Sequence, residues 1–341
     1  MTSSLRLPAR LGPGLWFGVL AAAVVAVEYA VVHRPDFSQH PALPPAVAAD
    51  LLIVLPGLFY LLIVRRYQLP ISTLAAALGG GLALSHWLLP AATLPLLAWA
   101  GRLVAVAEAA SLGYAAVRAR RIWRGYQAAR LHSADFVENL HRAAAPVLGR
   151  FTAAIVTEAA VLRYAVLGAW ASPEVGAHDA AFTTYRKSGF PALLATLAGL
   201  SLVELAAVHL LVGHWWPAAA WCLTGLSAYG LLWLWAHGQA VRCRPVVLSA
   251  STLVVRVGLV WRVVLAREQV LRAEPLTEAP APAPGLLNTA RLLLTPPNLL
   301  LTLATPQRVH GPYGLHRTVH CLAIYVDNPA ELRQQLAGPL A

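Results

Sequence analysis

"FTAAIVTEAAVLRYAVLGAW", residues 151–170, decides how the whole chain is laid out. A helix needs about 20 mostly apolar residues to cross the hydrocarbon core of a bilayer. This segment is long enough, yet it carries Glu158 and Arg163. If it crosses, everything after it changes side. The charges around it therefore have to be read first.

The chain has 341 residues, of which 58% are hydrophobic and only 12% charged, and its mean hydropathy is +0.60. Average soluble domains are about 45–50% apolar and about 25% charged. This is the composition of a membrane protein, with room for several spans and one modest extramembrane domain. Six runs besides 151–170 are apolar enough to span: roughly 14–33, 46–64, 71–89, 92–117, 190–213 and 216–240. The first follows Arg6 and Arg10 like a signal peptide, but it is longer than a signal core and carries Glu28. It also lacks a small-residue cleavage site, so it reads as an uncleaved span.

The net charge is +11, almost all of it arginine, with Lys187 the only lysine. Short cytoplasmic loops collect such residues. Arg65 and Arg66 close the second run, and Arg118, Arg120, Arg121 and Arg124 follow the fourth. Arg186 and Lys187 precede the fifth, and Arg242 and Arg244 follow the sixth. With a cytoplasmic N-terminus all of these share one side, provided that 151–170 does not cross. It is accordingly expected to lie against the bundle or at the interface, with six spans and both termini cytoplasmic.

Residues 118–170 then form a cytoplasmic helical hairpin. "RARRIWRGYQAARLH" interleaves arginines with Ile122, Trp123 and Tyr126, which suits a helix at an anionic headgroup surface. Nucleic acid is the weaker explanation of these arginines, because a basic juxtamembrane stretch is ordinary in membrane proteins. Ser133 is placed to cap the helix that follows. Three scattered cysteines, Cys222, Cys243 and Cys321, support neither a disulfide framework nor a zinc knuckle.

The division is thus a helical membrane domain over 1–240 and a small β-rich domain over 241–341. "STLVVRVGLVWRVVLAREQV" reads as two strands turning at Gly258. Further strands are expected at 270–274, 289–294, 298–303, 307–310 and 317–326, and "DNPAELRQQL" as a capped terminal helix. "EAPAPAPG", 278–285, is a loop. "HGPYGLHRTVH", 310–320, is a hairpin turn; His316 and His320 on one strand face could alternatively hold a surface metal.

The strand, Gly, aromatic, strand phrase resembles the opening of bacterial pleckstrin-homology-like domains that follow membrane spans. The resemblance covers about 245–338. It implies a β-sandwich or barrel closed by one helix, an assembly or partner-binding role, and the bacterial cytoplasmic membrane. The Pro-rich insertion departs from it, and no basic phosphoinositide pocket is evident, so recognition of lipid headgroups is not carried over. The membrane part resembles no family.

Candidate chemistry lies in the spans. In the inferred topology Glu28, Asp50, His86, Arg102, Glu204 and His209 fall in the middle or outer half of five helices. An ionisable group at bilayer depth costs at least about 2.5–3.5 kcal/mol unless paired or wet. One outward-facing polar cavity is the economical explanation; a structural pair between Arg102 and a carboxylate is the plainer alternative. His86, His209 and Glu204 are the candidate metal ligands, though no metal-binding spacing is present and no cofactor is implied. "LGGGLAL", 78–84, reads as a close helix-packing site.

Three functions follow. The first is an assembly or partner-binding membrane protein, associating with the bilayer and with its own copies or another membrane protein. The second is a membrane-embedded enzyme or metal protein acting on a lipid-like substrate. The third is a small-solute transporter, against which no internal repeat is found.

Overall fold

The computed structural model describes residues 12–89, 95–293 and 295–338. Arg6, Arg10 and the loop at residue 90 lie outside them. The chain divides into two compact units, Met1–Ala119 and Arg120–Ala341.

The first unit contains α1 (Pro13–Val32), α2 (Leu43–Tyr67), α3 (Thr73–Leu88) and the start of α4 (Pro95–Arg130). Pro56 lies inside α2, and a proline has no N–H to give. On either side of it the helix widens into π turns, Asp50–Val54 and Tyr60–Val64. Phe37, Val47, Ala48, Leu51, Leu88 and Leu89 form the core. The glycines of α3 permit the approach: a Cβ at Gly81 would run into the Leu51 carbonyl oxygen, whereas Gly80 faces open space. Gly81→Ala is therefore expected to lower the stability of this unit by about 1–3 kcal/mol, the usual effect of overpacking. Gly80→Ala should leave it unchanged. Thermal unfolding of the two variants in one detergent compares them directly.

In the second unit α4 ends at Arg130 and α5 (Phe136–Leu148) begins. The cap is Asp135, which accepts from Glu138 N at 3.1 Å; Ser133, the expected cap, instead accepts from Asp135 N. A 3-10 turn over Gly149–Phe151, with Gly149 at φ +53°, folds α6 (Thr152–Leu167) back on α5. The Phe136 and Tyr164 rings meet edge-on at 6.3 Å. Val161 and Tyr164 of α6 are buried against Ala236, Ala240 and Cys243 of α8 (Pro217–Cys243), which pairs with α7 (Phe190–Trp215).

Six helical stretches are long and apolar enough to cross a membrane: Pro13–Val32, Leu43–Tyr67, Leu97–Arg130, Phe136–Trp170, Phe190–Trp215 and Pro217–Cys243. Five correspond to expected spans. The sixth, Phe136–Trp170, contains the ambiguous segment, while the expected span at 71–89 is a helix of only 16 residues, Thr73–Leu88. The Phe136–Trp170 stretch is bent, and its ends meet. Asp135 before it and Glu174 after it both lie on Arg244, at 3.2 and 3.8 Å.

The C-terminal region is a β-sheet in the order β1-β2-β3-β4-β7-β8-β6, with β5 paired to β7. The strands are β1 (Ala180–Phe182), β2 (Val246–Leu248), β3 (Thr252–Val257), β4 (Trp261–Ala266), β5 (Val270–Pro275), β6 (Leu286–Asn288), β7 (Leu299–His310) and β8 (His316–Ile324). All pairs are antiparallel except β6 with β8. Its core includes Leu253, Leu265, Leu301 and Leu322, and Leu332 of the terminal helix α9 (Pro329–Ala337) closes it. Three expectations change. Residues 290–293 form a 3-10 turn instead of a strand. The runs at 298–303 and 307–310 are one strand, interrupted by a register shift between Thr302 and Gln307. The Asn328 amide donates to the Glu331 carboxylate at 3.3 Å and does not cap the backbone.

β1 is an element the sequence does not announce. It is held by Asp327, whose carboxylate accepts from Thr183 Oγ1 at 2.6 Å, Lys187 N at 2.9 Å and Arg186 N at 3.0 Å. This ties the residues before α7 to the end of the sheet.

Candidate functional site

Side chains alternate across a strand. On β3 and β4, Leu253, Val255, Val263 and Leu265 face the core, so Arg256 and Arg262 face the other way. They are directly opposite one another in the ladder. Like charges so placed are destabilising, and a counter-charge has to lie between them.

Asp135 supplies it from the turn before α5. Its Oδ2 lies 3.1 Å from Arg262 Nε, 3.2 Å from Arg244 Nη2 and 3.3 Å from Arg256 Nη1. Asp135, Glu174, Arg244 and Arg256 are all buried. Burial alone would raise the Asp135 carboxyl, but Arg244, Arg256 and Arg262 outweigh it and hold the group well below the usual carboxylate range. Burial likewise opposes the charge on Arg244, and Asp135 reverses it, so that its guanidinium is held more firmly protonated.

Glu174 is the second carboxylate. It accepts from Tyr164 Oη at 2.8 Å and from Phe136 N at 3.1 Å. Its carbonyl accepts from Arg256 Nη2 at 2.9 Å. Arg163, one of the two charges that made 151–170 ambiguous, reaches Glu174 at 3.5 Å and lies 4.0 Å over the Phe136 ring. The other, Glu158, accepts from Tyr229 and Tyr313 at 2.9 Å each. Neither residue faces lipid alone. The network clamps the turn before α5, the segment after α6, the end of α8 and the β3–β4 hairpin onto one another.

Above this floor opens a cleft of about 640 Å³, between α5 and α6 on one side and β4 and β7 on the other. Glu138, Arg142, Arg262, Arg308 and His310 line it, and Trp261, Val156 and Leu259 supply apolar wall. Arg262 pairs with His310 across the β4–β7 ladder, and Arg308 lies two residues along the same strand, hence on the same face.

The six residues picked from the spans are divided between the two units. Glu28, Asp50, His86 and Arg102 belong to the first unit, Glu204 and His209 to the second. Glu28 is buried, and its carboxyl lies beside that of Asp50. His86 is exposed and bonds its own helix at the Leu82 carbonyl, 2.9 Å away. Arg102 lies 5.0 Å over the Trp99 ring of its own helix and pairs with no carboxylate among the described residues. The Arg102–carboxylate pair considered above is thus not formed there.

In the second unit His209 Nδ1 lies 2.7 Å from Thr224 Oγ1, and its ring stands edge-on to Trp221 at 4.9 Å. Glu204 is exposed on α7, five residues away, and meets no ion-pair partner among the described residues. Among the described residues no group of three His, Cys, Asp or Glu is arranged to hold a metal, so His86, His209 and Glu204 form no common ligand set. His316 Nε2 accepts from the Arg308 guanidinium at 2.9 Å, which occupies that ring nitrogen.

The residues the sequence reading passed over are Asp135, Glu174, Arg256 and Arg262. One signal was available: "RVGLVWR", 256–262, places two arginines symmetrically about a turn, on the face away from the apolar residues. Against known proteins the chain matches no family model, no curated protein and no solved structure.

Proposed function

We propose that this chain is an integral membrane protein of the assembly or partner-binding kind, in a bacterial cytoplasmic membrane with both termini cytoplasmic. Its partners are the bilayer and either further copies of itself or another membrane protein. The observation that carries this reading is Glu204. It sits fifteen residues into the 26-residue apolar helix Phe190–Trp215, exposed and without an ion-pair partner among the described residues. A carboxylate there is unfavourable against lipid by a few kcal/mol, and a partner helix relieves that.

Further support comes from the meeting ends of Phe136–Trp170. A segment that begins and ends on the same arginine returns to the side it left, which favours a hairpin over a crossing and keeps the arginine clusters on one side. An eight-stranded sheet closed by one helix agrees with a pleckstrin-homology-like module. A second reading, an embedded enzyme or transporter, has the Glu28–Asp50 contact in its favour.

The test is the size of the full chain in mild detergent by light scattering. The expected particle exceeds the 36.4 kDa of one chain, or carries a second membrane protein, and Glu204→Leu shifts that distribution. A clean monomer whose behaviour is unaffected by Glu204→Leu would remove the reading.

A further inference from the structure

The cleft between the α5–α6 hairpin and the sheet goes beyond this reading, because its chemistry is that of an anion site. Four guanidiniums line it, from Arg142, Arg244, Arg262 and Arg308, and that of Arg256 lies in the floor below. Three carboxylates answer them: Asp135, Glu138 and Glu174. Asp135 and Glu174 are buried below the cleft and consumed by the clamp. Glu138 is the one carboxylate among the cleft's lining residues, and it is held by Arg142 at 2.6 Å and Arg262 at 3.0 Å. Arg308 has no carboxylate within ion-pair distance among the described residues and donates only to the neutral acceptor nitrogen of His316.

The positive field is felt at the His310 imidazole. Burial, then Arg262 and Arg308, lower its pKa from the ordinary histidine value; Glu138 opposes the shift and His141 adds to it. Val156, Leu259 and Trp261 make the lining partly apolar, and Arg317 lies 5.7 Å over the Trp261 ring. Guanidinium forks match phosphate oxygens in geometry as well as charge. A divalent anion is favoured over a single carboxylate because the excess is more than one charge.

We propose that this cleft binds a phosphate group, held between Arg142 of α5 and Arg262 and Arg308 of the sheet, with Val156, Leu259 and Trp261 as its apolar lining. The group arrives either on a lipid headgroup or as a soluble phosphate. The cleft uses the hairpin as much as the sheet, so it is a property of the assembled second unit.

Two probes separate the sources: inorganic pyrophosphate and dihexanoyl phosphatidic acid, each titrated calorimetrically into the full chain in neutral detergent. Tighter binding of the short-chain lipid assigns the cleft to a headgroup; equal or tighter binding of pyrophosphate assigns it to a soluble phosphate. Either result supports the site only if Arg308→Gln weakens the binding by about tenfold or more, as expected for loss of a charge-assisted hydrogen bond. Arg308 is outside the buried clamp, and Arg142→Gln, also at the rim, provides a second variant should the first misfold. Absence of binding by both probes, or binding unchanged in both variants, overturns the proposal. The detergent particle size is read separately, so this result does not depend on the oligomeric reading.

Discussion

Asp135→Ala is expected to destabilise the second unit by about 3–5 kcal/mol, the usual result of removing one partner from a buried ion cluster. Arg244 and Arg256 would be left buried and Arg262 mostly so, with their shared acceptor gone. The α5 cap at Glu138 N would be lost as well, worth about 1 kcal/mol in typical cases. For a unit of this size each kcal/mol corresponds to roughly 2–4 °C. A fall in melting temperature of less than about 2 °C would contradict the account. The same carboxylate gives a pH signature. Its folded-state pKa lies below the unfolded value of about 3.9. Its stabilisation is therefore complete above that value and is lost as pH falls from it toward the folded pKa. Asp135→Asn should start less stable and show a flatter dependence between about pH 5 and 3.

Gly258→Ala is the second large effect. Gly258 turns β3 into β4 at φ +50°, where an L side chain costs about 1–2 kcal/mol. A Cβ there would also stand 2.6 Å from the His237 ring and 3.0 Å from Val241, both on α8. Overpacking adds about 1–3 kcal/mol. The turn cannot simply retreat: the Gly258 carbonyl accepts from Arg244 Nη1 at 2.6 Å, and Leu259 N donates to His237 Nδ1 at 3.4 Å. Gly258→Ala is therefore expected to cost about 2–5 kcal/mol in the same melting assay, and a loss below about 2 kcal/mol would mean that the contact with α8 carries no weight.

The apolar runs, the β3–β4 turn at Gly258 and the terminal helix were legible because each is a local pattern of hydropathy, glycine or proline. β1 was not, since three short residues become a strand only when Asp327 holds the loop after them. Glu28 and Asp50 were singled out as groups needing partners, and they lie beside each other. His86 and Arg102 were drawn into the same cavity by depth alone, and depth says nothing of which way a side chain turns. Arg244 was read as a topological signal and Arg163 as an obstacle to membrane insertion. Both are members of one clamp; Arg163 has its carboxylate Glu174 only 11 residues on, whereas the carboxylates of Arg244 lie 70 and 109 residues away, outside any local window.

That clamp also fixes an order of events during synthesis. Asp135 is separated from Arg262 by 127 residues. At about 5–20 residues per second the carboxylate waits roughly 6–25 s for its last arginine. For most of that time, from the end of α6 at Leu167 onward, α5 and α6 are made but β4 and β7, against which they close, are not. The hairpin therefore spends its early life without the sheet that covers it. A chain stalled before β4 exposes a carboxylate that the finished protein never shows to water.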